Sequence, residues 1–295
     1  MPIPQIGLVS RSGAVPAAEV MIVADAIQKQ VLRDLAPFWD VSGAISPFAQ
    51  VEHIPVDSWP VIIQDKVYGA HGLHQDGNGR PYALIEAGSS WSLIASHEIL
   101  EMLVDPHGRT TVAGEALDDA NRRVEYLLEI CDPCQAEEFA YASNGVVVSD
   151  FYTKNYFDPV AAPGIKYSYT GAISRPREVL PGGYLTWHDS ETGRWMRATS
   201  TSIGGISTVV LGNLDPGRGS IRAQVDDQTP GLKRLGKLAK SNRSMKRFVA
   251  RRTGVEISMK ARAKSLLDRI DRVLAVAKER DSSKQKPSHQ KRVKG

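Results

Sequence analysis

The residues best equipped for chemistry lie in ASHEILEMLVDP, from Ala95 to Pro106. His97 and Glu101 are four positions apart, so on a helix they share a face and can reach one ion. Imidazole nitrogen and carboxylate oxygen both bind zinc at about 2.0 to 2.2 Å. Glu101, standing where an H-E-x-x-H pattern has its second histidine, therefore keeps the geometry and adds negative charge. Glu98, beside the first ligand, occupies the place of a general base able to take a proton from water. The extra charge should weaken zinc as a Lewis acid, which predicts slower catalysis than two histidines would give.

A catalytic zinc needs a third protein ligand and an open position. The segment EICDPC supplies Glu129, the favoured ligand, and Asp132, a carboxylate placed to hold His97 or the loop. Asp132 itself and Asp105, at the end of the motif helix, are the alternative ligands. H-E-x-x-E alone also fits an exposed helix whose His and Glu are merely solvated. Here a strand-like PYALIEAG precedes it, serines can cap the helix, one side is apolar, and a second acidic cluster follows. His71 and His74, beside a turn, could line a metal or substrate site, with a solvated loop as the stronger expectation. Cys131 and Cys134 form a C-x-x-C with no second pair to complete four ligands, and read as buried small residues. Tyr152 and Tyr156 could donate to an oxyanion, although packing with surface hydroxyls is the commoner role.

The elements that must position these groups follow from periodicity. Apolar residues at helical spacing in 17–38 predict a helix that Pro37 helps to stop. Extended runs follow at 51–56, 59–67 and 81–88, with the turn formers of QDGNGR before the last. The motif helix should start at Ser89 or Ser90 and end before Pro106. VEYLLEIC fits a strand and a helix about equally, and GVVVSDFYTKNYFDP reads as a strand and an ordered loop. Residues 181–199 and 207–214 predict three short strands of a small β appendage, followed by the linker RAQVDDQTP. The expected class is α+β, with a body over 1–172, a β-rich appendage and linker over 173–230, and a basic tail over 231–295.

Taken together, SSWSLIASHEILEMLVDP, LLEICDPCQ and GVVVSDFYTKNYFDP resemble a group of uncharacterised bacterial and phage-associated proteins regarded as zincin-like metallopeptidases. The S-H-E-x-x-E, D-P and E-x-x-D-x-C pieces are also similar to the EXORDIUM (phosphate-induced) family. The likeness spans roughly residues 15 to 160. It implies a zincin-like metallopeptidase domain whose strand before the motif helix is an edge able to pair with substrate, here residues 82–87.

Composition bounds the rest. No run of about 18 apolar residues exists, so no membrane span is expected, and MPIPQIGLVSRSG lacks a secretory signal. The default expectation is cytoplasmic, with export by another route left open. The net charge of +4 hides an asymmetry, because 231–295 carries 21 Lys and Arg against 5 Asp and Glu. Part of that tail, 255–280, has apolar residues at helical spacing among the basic ones, while the last residues read as unstructured. Such a segment could attach to nucleic acid or another anionic surface, or simply solubilise the chain. The function expected is a zinc-dependent (Zn2+) metallopeptidase-like hydrolase acting on a peptide or protein substrate. The alternative is a noncatalytic, metal-stabilised binding module attached to polyanions by its tail.

Overall fold

Ile6, Leu8 and Val9 form a continuous buried apolar run, which suits β1 (Gln5–Ser10) to an interior strand covered on both faces. The computed structural model describes residues 3–67, 70–77, 79–201, 205–215, 217 and 219–228. α1 (Ala17–Gln30) turns Val20, Val23, Ala24 and Ile27 into the core. The chain then passes through a π-helical turn at Val31–Leu35 into α2 (Ala36–Trp39) and stops at Asp40, whose φ of 55° is left-handed. Pro37 does not stop the helix. It sits in the first turn of α2, directly after the π-helical turn, and the chain stays helical through it to Trp39.

β2 (Ala44–Phe48), β3 (Trp59–Gln64), β4 (Gly72–Gly77) and β5 (Arg80–Glu86) complete the first sheet in the order β2-β1-β3-β5-β4. All pairs are parallel except β4 with β5. The run expected at 51–56 is a 3-10 turn at Val51–His53 instead. Residues 82–87 are not an edge, because β5 is hydrogen-bonded to β3 on one side and β4 on the other. The reason is the tight turn before Arg80, with Gly79 at φ 79°, which folds residues 72–77 back onto β5 and makes β4 the edge. α3 (Trp91–Val104) then lies against β5 and β4.

The second sheet begins with β6 (Thr111–Glu115) and β7 (Arg123–Leu127), so VEYLLEIC is a strand that runs into a loop. A 3-10 turn at Asp132–Cys134 and the small hairpin of β8 (Tyr141–Ser143) and β9 (Val146–Val148) follow. β10 (Tyr184–Asp189), β11 (Arg194–Ser200) and β12 (Ile206–Gly212) are the three strands expected of 173–230. They do not form a separate appendage, because β10 pairs with β7 and the sheet runs β12-β11-β10-β7-β6. The expected linker contains α4 (Ile221–Gln228). The protein is thus a mixed α+β structure, and no described helix is long and apolar enough to cross a membrane. Residues 231–295, with the expected basic tail, lie outside the described residues.

Candidate metal centre

α3 is buried on more than one side. Trp91, Ala95, Ile99 and Met102 recur at helical spacing and enter the apolar core. His97, Glu98 and Glu101 are also buried, with 8%, 3% and 0% of their surface exposed. Polar groups buried to this degree are costly unless they are paired, so their partners define the site.

Two groups of ligating atoms result, and Glu101 belongs to both. In the first, His97 Nε2 lies 3.4 Å from Glu101 Oε1 and 3.1 Å from Asp132 Oδ1. Ligands about 2.0 Å from a tetrahedral zinc stand about 3.3 Å apart, close to the two distances from His97, and all three ligating atoms lie within 4.8 Å of one another. The Cys131 N–H donates to Glu101 Oε1 at 3.1 Å and orients it, while neither Asp132 oxygen has a hydrogen-bond donor among the described residues. A buried carboxylate without donors fits a cation as its partner.

In the second group, His74 Nδ1 lies 3.2 Å from Glu98 Oε2 and 3.7 Å from Glu101 Oε2. His74 stands on β4 and is buried, not in a solvated loop. Gly72, two residues before it, allows α3 to pack close. A Cβ there would collide with Ile94 and come within 2.8 Å of Glu98 Oε1.

A guanidinium fills the space between the carboxyls. Arg222 Nη1 lies 2.5 Å from Glu101 Oε2 and 2.7 Å from Glu129 Oε1. It is also 3.8 Å from Asp132 Oδ2, and Nη2 is 3.7 Å from Glu98 Oε2. α4 delivers it: Ile221 and Val225, four apart, pack with Leu127, Trp195 and Leu211 on the second sheet, and Arg222 is left facing the cluster. Gly108, at φ 58°, receives the Arg222 N–H on its carbonyl.

The electrostatics follow from this packing. Burial would raise the pKa of Glu98 and Glu101, but Arg222 and the neighbouring histidines outweigh it and hold both well below the usual carboxylate range. Burial would lower that of His97, but Glu101 and Asp132 outweigh it and hold the ring well above the ordinary value. Glu129 goes the other way, pushed up by burial and by Asp132.

The structure therefore brings His97, Glu98, Glu101, Glu129 and Asp132 together, with Asp132 rather than Glu129 in reach of an ion shared with His97. Asp105 is not among them. Its carboxylate accepts from the Thr110 N–H and hydroxyl, both at 2.8 Å, and ties down the loop after α3. His71 pairs with Glu86 at 3.1 Å instead. Both cysteines are buried and free, and burial pushes their thiols up. Tyr152 and Tyr156 are fully buried and stacked at 4.2 Å, with the Tyr156 hydroxyl donating to the Glu178 carbonyl. His74, for which a solvated loop was the stronger expectation and a metal or substrate site the other, joins the cluster, and Arg222 was not anticipated at all. The one signal available for Arg222 was the Ile221/Val225 spacing beside it. No protein family, curated protein or solved structure matches the chain.

Proposed function

We propose that this chain is a zinc-dependent metallopeptidase-like hydrolase, with His97, Glu101 and Asp132 holding the ion. The observation that supports this most is that His97 Nε2 lies 3.4 Å from Glu101 Oε1 and 3.1 Å from Asp132 Oδ1, while neither Asp132 oxygen accepts a hydrogen bond among the described residues and Oδ2 stands 3.8 Å from Arg222. Bound zinc would supply Lewis-acid polarisation of a carbonyl and acidify water. Glu98, one residue from His97, would move the proton. The Cys131 amide fixes Glu101, and β4, the edge of its sheet among the described residues, offers backbone groups with which an extended peptide could pair. The zincin-like reading rests on the motif helix and its ligands, since the resemblance implies an edge at residues 82–87 and the edge here is β4.

Glu98→Gln tests the reading. It should lower hydrolysis of a peptide library by about 10²- to 10⁴-fold while the zinc content stays at the wild-type value. Equal activity in the two proteins would remove Glu98 from the chemistry.

The second reading, a noncatalytic metal-stabilised module, is favoured by two observations. The cluster is closed from solvent, and Glu98 is held far below the neutral pKa at which a general base works best. It predicts zinc binding without turnover in either protein. For residues 231–295 the excess of basic residues supports attachment to polyanions, and elution from heparin at low salt would argue against it.

A further inference from the structure

We infer that the cluster has two adjacent cation positions bridged by Glu101, and that Arg222 is the permanent occupant of the second. The inference deepens the proposed metal centre and rests on it for the first position only.

The two oxygens of Glu101 divide the site. Oε1 faces His97 and belongs to the trio with Asp132, whereas Oε2 faces His74 and Glu98. A carboxylate arranged in this way can bridge two cations, as in two-metal sites with ions about 3.5 to 4 Å apart. The second trio resembles the first in composition, with one imidazole nitrogen and two carboxylate oxygens, all in buried side chains. It differs in having a cation already. Arg222 Nη1 hydrogen-bonds to Glu101 Oε2, the oxygen that a second ion would need, and Nη2 lies 3.7 Å from Glu98 Oε2. Apart from the shared Glu101, its contact with the first trio is 3.8 Å, to Asp132 Oδ2, the oxygen that does not face His97.

The guanidinium cannot give up its charge, and it is held from outside the cluster. Ile221 and Val225 anchor α4, the Arg222 N–H donates to the Gly108 carbonyl at 3.0 Å, and the Ser220 hydroxyl donates to the same carbonyl at 3.1 Å. The second position is thus closed to a divalent ion as long as α4 stays docked. A single chain should bind one ion, and removing the guanidinium should create room and charge for another, with His74, Glu98 and Glu101 as its ligands.

The test is the zinc count of the full-length protein after dialysis against buffered zinc, read by elemental mass spectrometry. Wild type should hold one ion, Arg222→Met two, and Arg222→Met with His74→Ala one again. Arg222→Lys, which keeps a positive charge there, should stay at one. An Arg222→Met count equal to that of wild type overturns the inference. If Arg222→Met does not fold, His74→Ala in the wild-type background decides. It should keep one zinc with an unchanged dissociation constant, and loss of that zinc overturns the inference. A wild-type count of zero would instead refute the His97 trio as a metal centre, and the gain of one ion in Arg222→Met would still report on the second position.

Discussion

Arg222 Nη1 stands 2.5 Å from Glu101 Oε2, a contact between residues 121 positions apart with both side chains at or below 1% exposure. It fastens α4 to α3 through the middle of the protein. A buried carboxylate that loses its closest cation is left poorly compensated, which costs more than the pair itself contributes. In chelator-treated protein, Arg222→Met should lower the unfolding free energy by about 3 to 5 kcal/mol, read from urea denaturation. Arg222→Lys should lose less, since the charge remains while the paired hydrogen bonds do not. A loss below about 0.5 kcal/mol, typical of a surface substitution, would mean that the guanidinium is not the counter-charge of this cluster.

How much of this could be read in advance depends on sequence distance. The face shared by His97 and Glu101 is a local property of helix spacing, and EICDPC is acidic enough to nominate Glu129 and Asp132 without a structure. The order of their roles was not legible. Which carboxyl faces His97 depends on the 3-10 turn at Asp132–Cys134 and on Arg222 drawing Glu129 away. His74 was obscured because turn-forming residues follow it closely, so Gln75, Asp76 and Gly77 read as turn rather than as the end of β4. Arg222 was the least accessible. Its segment is polar, and the partners that make α4 a docked helix, Leu127, Trp195 and Leu211, come from three different strands.

The close packing of α3 on β4 predicts a sharp difference between two glycines. At Gly72 an added methyl would collide with Ile94 and press on Glu98, whereas at Gly13 it would meet nothing within 4 Å. Gly72→Ala should destabilise by about 1 to 3 kcal/mol, as overpacked sites do. Gly13→Ala should stay within about 0.5 kcal/mol. Equal denaturation midpoints for the two variants would contradict the packing.

Away from the cluster, Asp34 predicts how stability responds to acid. Burial would raise its pKa, but Arg33, Tyr169 and Tyr141 donate to it at 2.5 to 2.9 Å and hold it below the ordinary value. A depressed carboxyl stabilises the fold above its unfolded pKa, about 3.9 for aspartate, and the contribution is lost as pH falls below that. Asp34→Asn should cost about 1 to 3 kcal/mol at neutral pH. The gap between the two proteins should hold from pH 7 to pH 5 and shrink below about pH 4. A gap that does not change with pH would show that the charge on Asp34 contributes nothing.

Zinc itself should stabilise the native chain by mass action, since the trio of His97, Glu101 and Asp132 is assembled from α3 and a loop 31 residues further along and has no counterpart in an unfolded chain. At a free concentration 100 times the dissociation constant the gain is about 2.7 kcal/mol. It should appear as a rise in melting temperature on adding zinc and as its reversal by chelator. His97→Ala and Asp132→Ala should each abolish the rise, because two ligands hold zinc far less well than three. Glu129→Gln should keep it, because Glu129 meets Arg222 rather than the trio. If Glu129→Gln instead loses the response and Asp132→Ala retains it, the third ligand is Glu129, and the loop must rearrange on binding metal. That outcome would also move Arg222, since one guanidinium nitrogen, Nη1, now holds Glu101 and Glu129 together.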